Sequence, residues 1–511
     1  MGKLGPAWQA AVHTKQRDLW SNLPQGWRIE DEVVTRSNGI NSNVIEVVPT
    51  YLSPAEIHIT NLSVRQLLEG LCIGDITAQE VLSAFAHRAI VAHQFTRCLS
   101  EMNFDAALKR ARELDAYWQE HRCAVGPLHG LPVSLMDRFH VSGLDSACGF
   151  ASWVGTKRTS DDEGEGALIA LRGSPLGFGT DVAGSVRIPS SFNGLWALKC
   201  SEGRLPYSGL ATVLSGMPVA SGSIGIMSAD LAGVSTAFKC LLASRPWVSD
   251  INTLELPWRQ DKFDAIRRRM RSDGATDGRL VIGVMRSDGH VMPQPPLLRA
   301  IDFTVQALQH CGYDIVEWSP PPHAPAIHNL FEIFGSTSAQ EARHAIDASG
   351  EPPVAQIKGW YDNDNVPANS TADFWRLCGQ RNNYCAQYAA YWKSTSSLSR
   401  SGRIPDGIIL PVAPSTAVRS GDFHYYGYSA IANVLDYVSG VIPVTVGHKL
   451  MDVMDPGRPI ASDLDKKVKM SFNSNDAHNM PVGIQVVCPR LQEEQVLGLM
   501  EAISEALGQA A

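Results

Sequence analysis

The stretch "GEGALIALRGSPLGFGTDVAGSVRIPSSFNG", residues 164–194, decides how this chain is read. Gly177 and Gly179 stand two apart, a Gly-Thr-Asp-x-Ala-Gly-Ser turn follows, and Arg187 and Pro189 come next. Small residues let backbone N–H groups approach an oxygen. Val182, Ala183, Gly184 and Ser185 can therefore form a cradle for an oxyanion, with Ser185 as a nucleophile. The same pattern also describes a tight turn needing positive φ, in which Ser185 is only a turn hydroxyl. The local pattern leaves both readings open.

A nucleophilic serine needs a proton acceptor. The G-x-S-x-G elbow of many esterases is absent. Of fifteen histidines, His129, His140 and His424 fall in patterned stretches, but no spacing singles one out as a base. H-E-x-x-H, a P-loop and G-x-G-x-x-G after a strand are also missing, which leaves metal and nucleotide chemistry without a motif; no cofactor is expected.

Composition sets wider bounds. The chain has 511 residues, 19% charged and 44% hydrophobic, with a net charge of −8. This is a globular composition with length for one large core or a few modest domains, and with no basic excess to hold nucleic acid or an anionic membrane. The run "IRRRMR" (266–271) reads as a solvated helix face. The ten cysteines are scattered without a C-x-x-C pair and read as reduced thiols. "MGKLGPAWQAAVHTKQRDLW" lacks an apolar signal core, and no run approaches the roughly 18 apolar residues of a membrane helix, so a cytoplasmic protein is expected.

Residues 1–60 read as a helical N-terminal arm and 61–511 as the main domain. Helical periodicity marks 77–94, with Thr77 as N-cap, 105–121, 295–311 and the closing "LQEEQVLGLMEAISEAL". Apolar runs at 131–135, 279–285, 407–412, 441–446 and 482–487 read as buried strands. Their alternation with helices predicts α/β layers around a sizeable sheet. Residues 350–372 and 455–478 read as long surface loops.

The 164–194 stretch resembles the core of the amidase signature family, in particular its fungal acetamidase-like branch. "GPLHGLPVSLMDRFHVSGLDS" (126–146), "LKCSEGRLPYSGL" (198–210), "LPVAPSTAV" (410–418), "YGYSAIANVLDYVSGVIPVT" (426–445) and "MPVGIQVVCPRLQEEQVL" (480–497) resemble further family segments in the expected order. The resemblance implies a large twisted mixed β-sheet flanked by α-helices on both faces. It also implies hydrolysis of carboxamide C–N bonds by a Ser-cisSer-Lys triad, in which a desolvated lysine is the base. Ser185 takes the nucleophile's place, Val182–Ser185 the oxyanion loop. Asp181 and Arg187 are expected to buttress that loop, and Pro189 to stiffen the turn after it.

Two family positions are not retained. The pattern Pro-Val-Ser-Leu-Lys-Asp reads "PVSLMD" here, so Met136 holds the lysine's place. A thioether has no proton to exchange. The bridging serine lies in a Gly-Gly-Ser-Ser-Gly-Gly run before "EGAL", whereas this chain reads "TSDDEGEGAL", placing Asp161 there if no gap is allowed. "GFASWVGTKRTSDD" resembles a segment that in relatives lies well upstream, so a helix, a strand and the serine-bearing loop are missing near residue 162. A true deletion and skipped coding sequence are both open. The resulting expectation is an impaired pseudoamidase that binds a small amide or acyl ligand, pairing with itself or with a partner subunit. The alternative is an active amide hydrolase or acyl-handling biosynthetic enzyme in which Ser185 uses a substitute base such as Asp161 or Asp162. Tyr425, Tyr426, Tyr428 and Trp360 are expected to pack in the interior or line a surface.

Overall fold

The computed structural model describes residues 7–30, 32–35, 43–155, 164–214, 216–270, 278–354, 358, 361, 367–419 and 421–510. Nine strands form one mixed sheet: β1 (Ser134–Leu135), β2 (Leu176–Asp181), β3 (Trp196–Lys199), β4 (Ser223–Ser228), β5 (Val281–Val284), β6 (Asp314–Glu317), β7 (Gly407–Pro411), β8 (Val438–Val446) and β9 (Pro481–Cys488). Their order is β1-β2-β4-β3-β8-β9-β7-β5-β6. β1 runs parallel to β2, and β5 parallel to β6 and β7; the other pairings are antiparallel.

Alternation along the strands divides the interior in two. On β7, Ile409 faces a core shared with helices Leu231–Ala243, Pro295–His310 and Glu493–Ala510. Its neighbours Ile408 and Leu410 face a second core built with helices His323–Phe334, Thr371–Ser394 and Gly427–Val434. Helices thus cover both faces of the sheet, as the resemblance implies.

The helix expected over 77–94 spans Ala78–Thr96, and Thr77 caps it: its side chain accepts from Glu80 N, and Glu80 returns a bond to Thr77 N. Ile29, Val48 and Leu52 from the first 60 residues are buried against this helix. The runs at 279–285 and 407–412 contain β5 and β7, and those at 441–446 and 482–487 lie within the longer β8 and β9.

Elsewhere the structure departs from the sequence reading. The 131–135 run supplies only a two-residue strand, since Pro132 has no N–H to give a ladder. Residues 455–478 are not loop throughout: helix Asp463–Ser471 starts there, with Ser462 accepting from Asp465 N. Buried Asp465 also receives both Arg458 Nη atoms and Met292 N, so a composition that reads as loop is in fact anchored. Gly179, read as the first residue of the turn, lies with Gly177 inside the fully buried strand β2. A Cβ on Gly177 would overlap the Glu165 carboxylate, and one on Gly179 would stand 3.0 Å from Met136 Cε. These glycines admit close neighbours and are not there to bend the chain.

Thr77→Ala removes one cap bond and is expected to lower stability by about 1 kcal/mol. A urea titration followed by circular dichroism checks it: the midpoint should fall with the slope unchanged.

Candidate active site

Ser185 sits just beyond the end of β2, and its turn is held by the carboxylate of Asp181. Asp181 Oδ1 accepts from Gly184 N at 2.9 Å, and Oδ2 from Val186 N at 3.3 Å and Arg187 N at 3.4 Å. Gly184 has φ 129°, and a Cβ there would overlap Ser429 Oγ. Only glycine fits, because the turn is both left-handed and crowded.

Arg187, fully buried, closes the arrangement. Its Nε and Nη2 reach the two Asp181 oxygens at 3.0 and 2.8 Å. Its Nη1 donates to Ser429 O at 2.7 Å and Gln485 Oε1 at 3.0 Å, and Nη2 also to Asn433 Oδ1 at 2.6 Å. All five guanidinium N–H groups therefore have acceptors, which is the condition for burying the charge. Burial pushes the Asp181 carboxyl up, but the Arg187 charge and hydrogen bonds outweigh it and hold its pKa near 2. The buttressing expected of Asp181 and Arg187 is thus present in full. Pro189 lies within helix Arg187–Phe192 and not in a turn.

The Ser185 hydroxyl is turned to the backbone: Oγ donates to Thr180 O at 2.7 Å. Met136 comes to the same place from β1. Its Sδ, fully buried, accepts from Thr180 N at 3.1 Å and Thr180 Oγ1 at 3.3 Å. Strand pairing thus brings Met136, Thr180 and Ser185 together, and Met136, expected at the lysine's place, offers only a weak acceptor with no proton to exchange.

The remaining expected residues are distributed as follows. Asp161, with Asp162, lies outside the described residues, as does Trp360. In the oxyanion loop the Gly184 N–H is committed to Asp181, which removes it from the expected cradle of Val182, Ala183, Gly184 and Ser185. Ser429 Oγ pins the loop from above by donating to Ala183 O at 2.6 Å. His129 Nδ1 accepts from Val125 N, and His140 Nδ1 pairs with Ser146 Oγ, so neither serves Ser185. Tyr425 and Tyr428 are buried in the core, while Tyr426 is partly exposed.

Two buried ionisable groups went unread in the sequence. Lys199 has its pKa lowered by burial, as a base would, yet its Nζ donates to Cys200 O at 3.1 Å and Tyr437 O at 3.0 Å, not to Ser185. Glu165, on helix Gly164–Ala170, receives one hydrogen bond among the described residues, from Ser134 Oγ at 2.5 Å. Burial raises its pKa to about 8, and the Ser134 bond only partly opposes this. The one signal for Glu165 was its place in the quoted "GEGAL".

Set against known proteins, the chain matches the Amidase family over residues 80–163 and 164–497, and it belongs to that family. It is 32% identical to the Acetamidase of Emericella nidulans, covering 98% of each chain, and 31% identical to the Acetamidase of Aspergillus oryzae, covering 98% of this chain and 99% of that one. Among solved structures, a fatty acid amide hydrolase superposes with TM-score 0.87 at 24% identity, covering 98% of this chain and 95% of the other, a likeness of fold. The family match breaks between 163 and 164, at the join read from the sequence. The Emericella alignment runs over 559 positions against 511 residues, so that relative carries residues that this chain lacks.

Arg187→Met strands the Asp181 carboxylate in the interior and is expected to destabilise by about 3–5 kcal/mol, measurable by urea unfolding. Glu165 acts in the opposite sense with pH. An unfolded carboxyl releases its proton near pH 4.5, the folded one only near 8, so stability should decline between those values, by up to ~1.4 kcal/mol per unit, and level off above. Glu165→Gln should flatten that decline when unfolding is compared at pH 5 and pH 8.

Proposed function

We propose that this protein is an acetamidase-like member of the amidase family that retains the nucleophile and oxyanion loop but is impaired as an amide hydrolase. The observation that carries this reading is the bonding around Thr180: Ser185 Oγ donates to its carbonyl while Met136 Sδ accepts from its N–H and hydroxyl. Among the described residues, no titratable side chain hydrogen-bonds Ser185 Oγ. Without a base the hydroxyl stays protonated and attacks an amide carbonyl poorly. Members of a catalytic unit fail together, so amide turnover should lie on the order of 10⁴–10⁶-fold below that of a complete triad.

The ligand in this reading is a small amide or acyl compound whose carbonyl oxygen meets the N–H groups of Val182, Ala183 and Ser185. Ten free cysteines suit a reducing compartment, and no helix among the described residues is long and apolar enough to cross a membrane. We therefore place the protein in the cytosol.

A fluorophosphonate probe tests the proposal through Ser185 itself. Labelling should be slow and little changed by Ser185→Ala. Rapid labelling that disappears in Ser185→Ala would refute the impaired reading. Sequencing the transcript across codons 155–166 then separates a deletion from omitted coding sequence. If further codons are present, Met136→Lys in the longer chain should recover acetamide hydrolysis.

A further inference from the structure

A cavity of about 290 Å³ lies beside β1, between helix Ala78–Thr96, the start of helix Phe104–His121 and helix Gly164–Ala170. Phe85, Ala89, Phe104, Leu135 and Leu168 give it an apolar wall, and it opens at the sheet edge, where Val133 and Leu135 are exposed. Its size is at the small end of ligand sites, which span roughly 300–1,000 Å³. The Glu165 carboxyl stands in the wall with Ser134 and Met136.

Among the described residues no cation pairs with buried Glu165. It receives one hydrogen bond there, from Ser134, and desolvation raises its pKa. The other titratable groups of the lining are Cys98, Glu101, Asp137 and Asp145. Cys98 is a neutral thiol whose pKa burial lifts to about 11, and Lys15 bridges Glu101 and Asp145. The residue that would bring a positive charge to this wall is position 136, and it is methionine. Gly177 keeps the space for the carboxyl open, since any Cβ there would overlap Oε1. The chain therefore holds a desolvated acid in the lining of a chamber that has one apolar wall. An ammonium group with a hydrocarbon tail complements both.

We propose that this cavity is a binding site for a small primary amine with a short apolar tail, its ammonium paired with the Glu165 carboxylate. Near neutral pH Glu165 carries its proton, so binding of the ammonium form releases one proton to solvent. Affinity therefore rises about tenfold per pH unit from pH 6 to pH 8 and levels off above that, once the carboxyl ionises without the ligand. Ser185 is not among the residues lining the cavity, which shares Met136 with its surroundings, and the inference stands whether or not Ser185 turns over an amide.

Isothermal titration of the full chain with benzylamine, and with benzyl alcohol as its neutral counterpart, tests this at pH 6, 7 and 8. Benzylamine should tighten about a hundredfold over that range, release one proton at pH 6 as judged from two buffers of different ionisation enthalpy, and bind at least tenfold better than the alcohol at pH 8. Glu165→Gln should abolish the pH dependence, and Ser185→Ala should leave it intact. Equal binding of amine and alcohol, pH-independent binding, competition from Ser185 ligands, or no binding of benzylamine at millimolar concentration would each overturn the proposal. The comparison of the two ligands on the wild-type chain does so without relying on any variant.

Discussion

The Asp181–Arg187 pair is the interaction on which the rest of the site depends. It joins the end of β2, the turn carrying Ser185, helix Gly427–Val434 through Ser429 and Asn433, and β9 through Gln485. Each partner alone would be an expensive buried charge. Together, with every guanidinium N–H satisfied, they convert that expense into a fixed geometry for Gly184 and Ser185. Gln485 extends the network by donating to Pro411 O and Tyr428 O, so strands β7 and β9 and the helix are tied to the same carboxylate. A turn held this firmly keeps its shape regardless of whether the chemistry it serves is complete.

That separation of scaffold from chemistry explains how Met136 is tolerated. Its side chain is about as long as a lysine's without the charge, packs against Gly179 and Thr180, and its weakly accepting sulfur meets two donors. Nothing in the packing asks for an amine there. Beside it, Ser185 turns its hydroxyl to the Thr180 carbonyl, and burial raises the pKa of Glu165 to about 8.

The family resemblance, carried by local motifs, reached the fold and the place of Ser185 and Met136. Strands with β-branched runs, such as β5 and β7, were legible from their apolar pattern. β2 was not, because Gly177 and Gly179 erase the side-chain alternation, and their reason lies on other elements, Glu165 and Met136. Helix Asp463–Ser471 was hidden by a loop-like composition, its stabilising contacts coming from Arg458 and Met292. Thr180 and Glu165 carry no chemical signature in sequence. One matters through its backbone, the other through burial, and neither property exists before the chain folds.

The reach of Arg187 also has a consequence in time. Its partners Asn433 and Gln485 lie 246 and 298 residues further along the chain. At ribosomal rates of about 5–20 residues per second, the second of these emerges roughly 15–60 s after the arginine. Until they emerge the guanidinium has Asp181 but lacks Asn433 and Gln485, and the edge of β3 that later pairs with β8 is open. Synthesis of this protein therefore includes a long exposed phase that ends only when its last strand arrives, and chaperone engagement should be concentrated there.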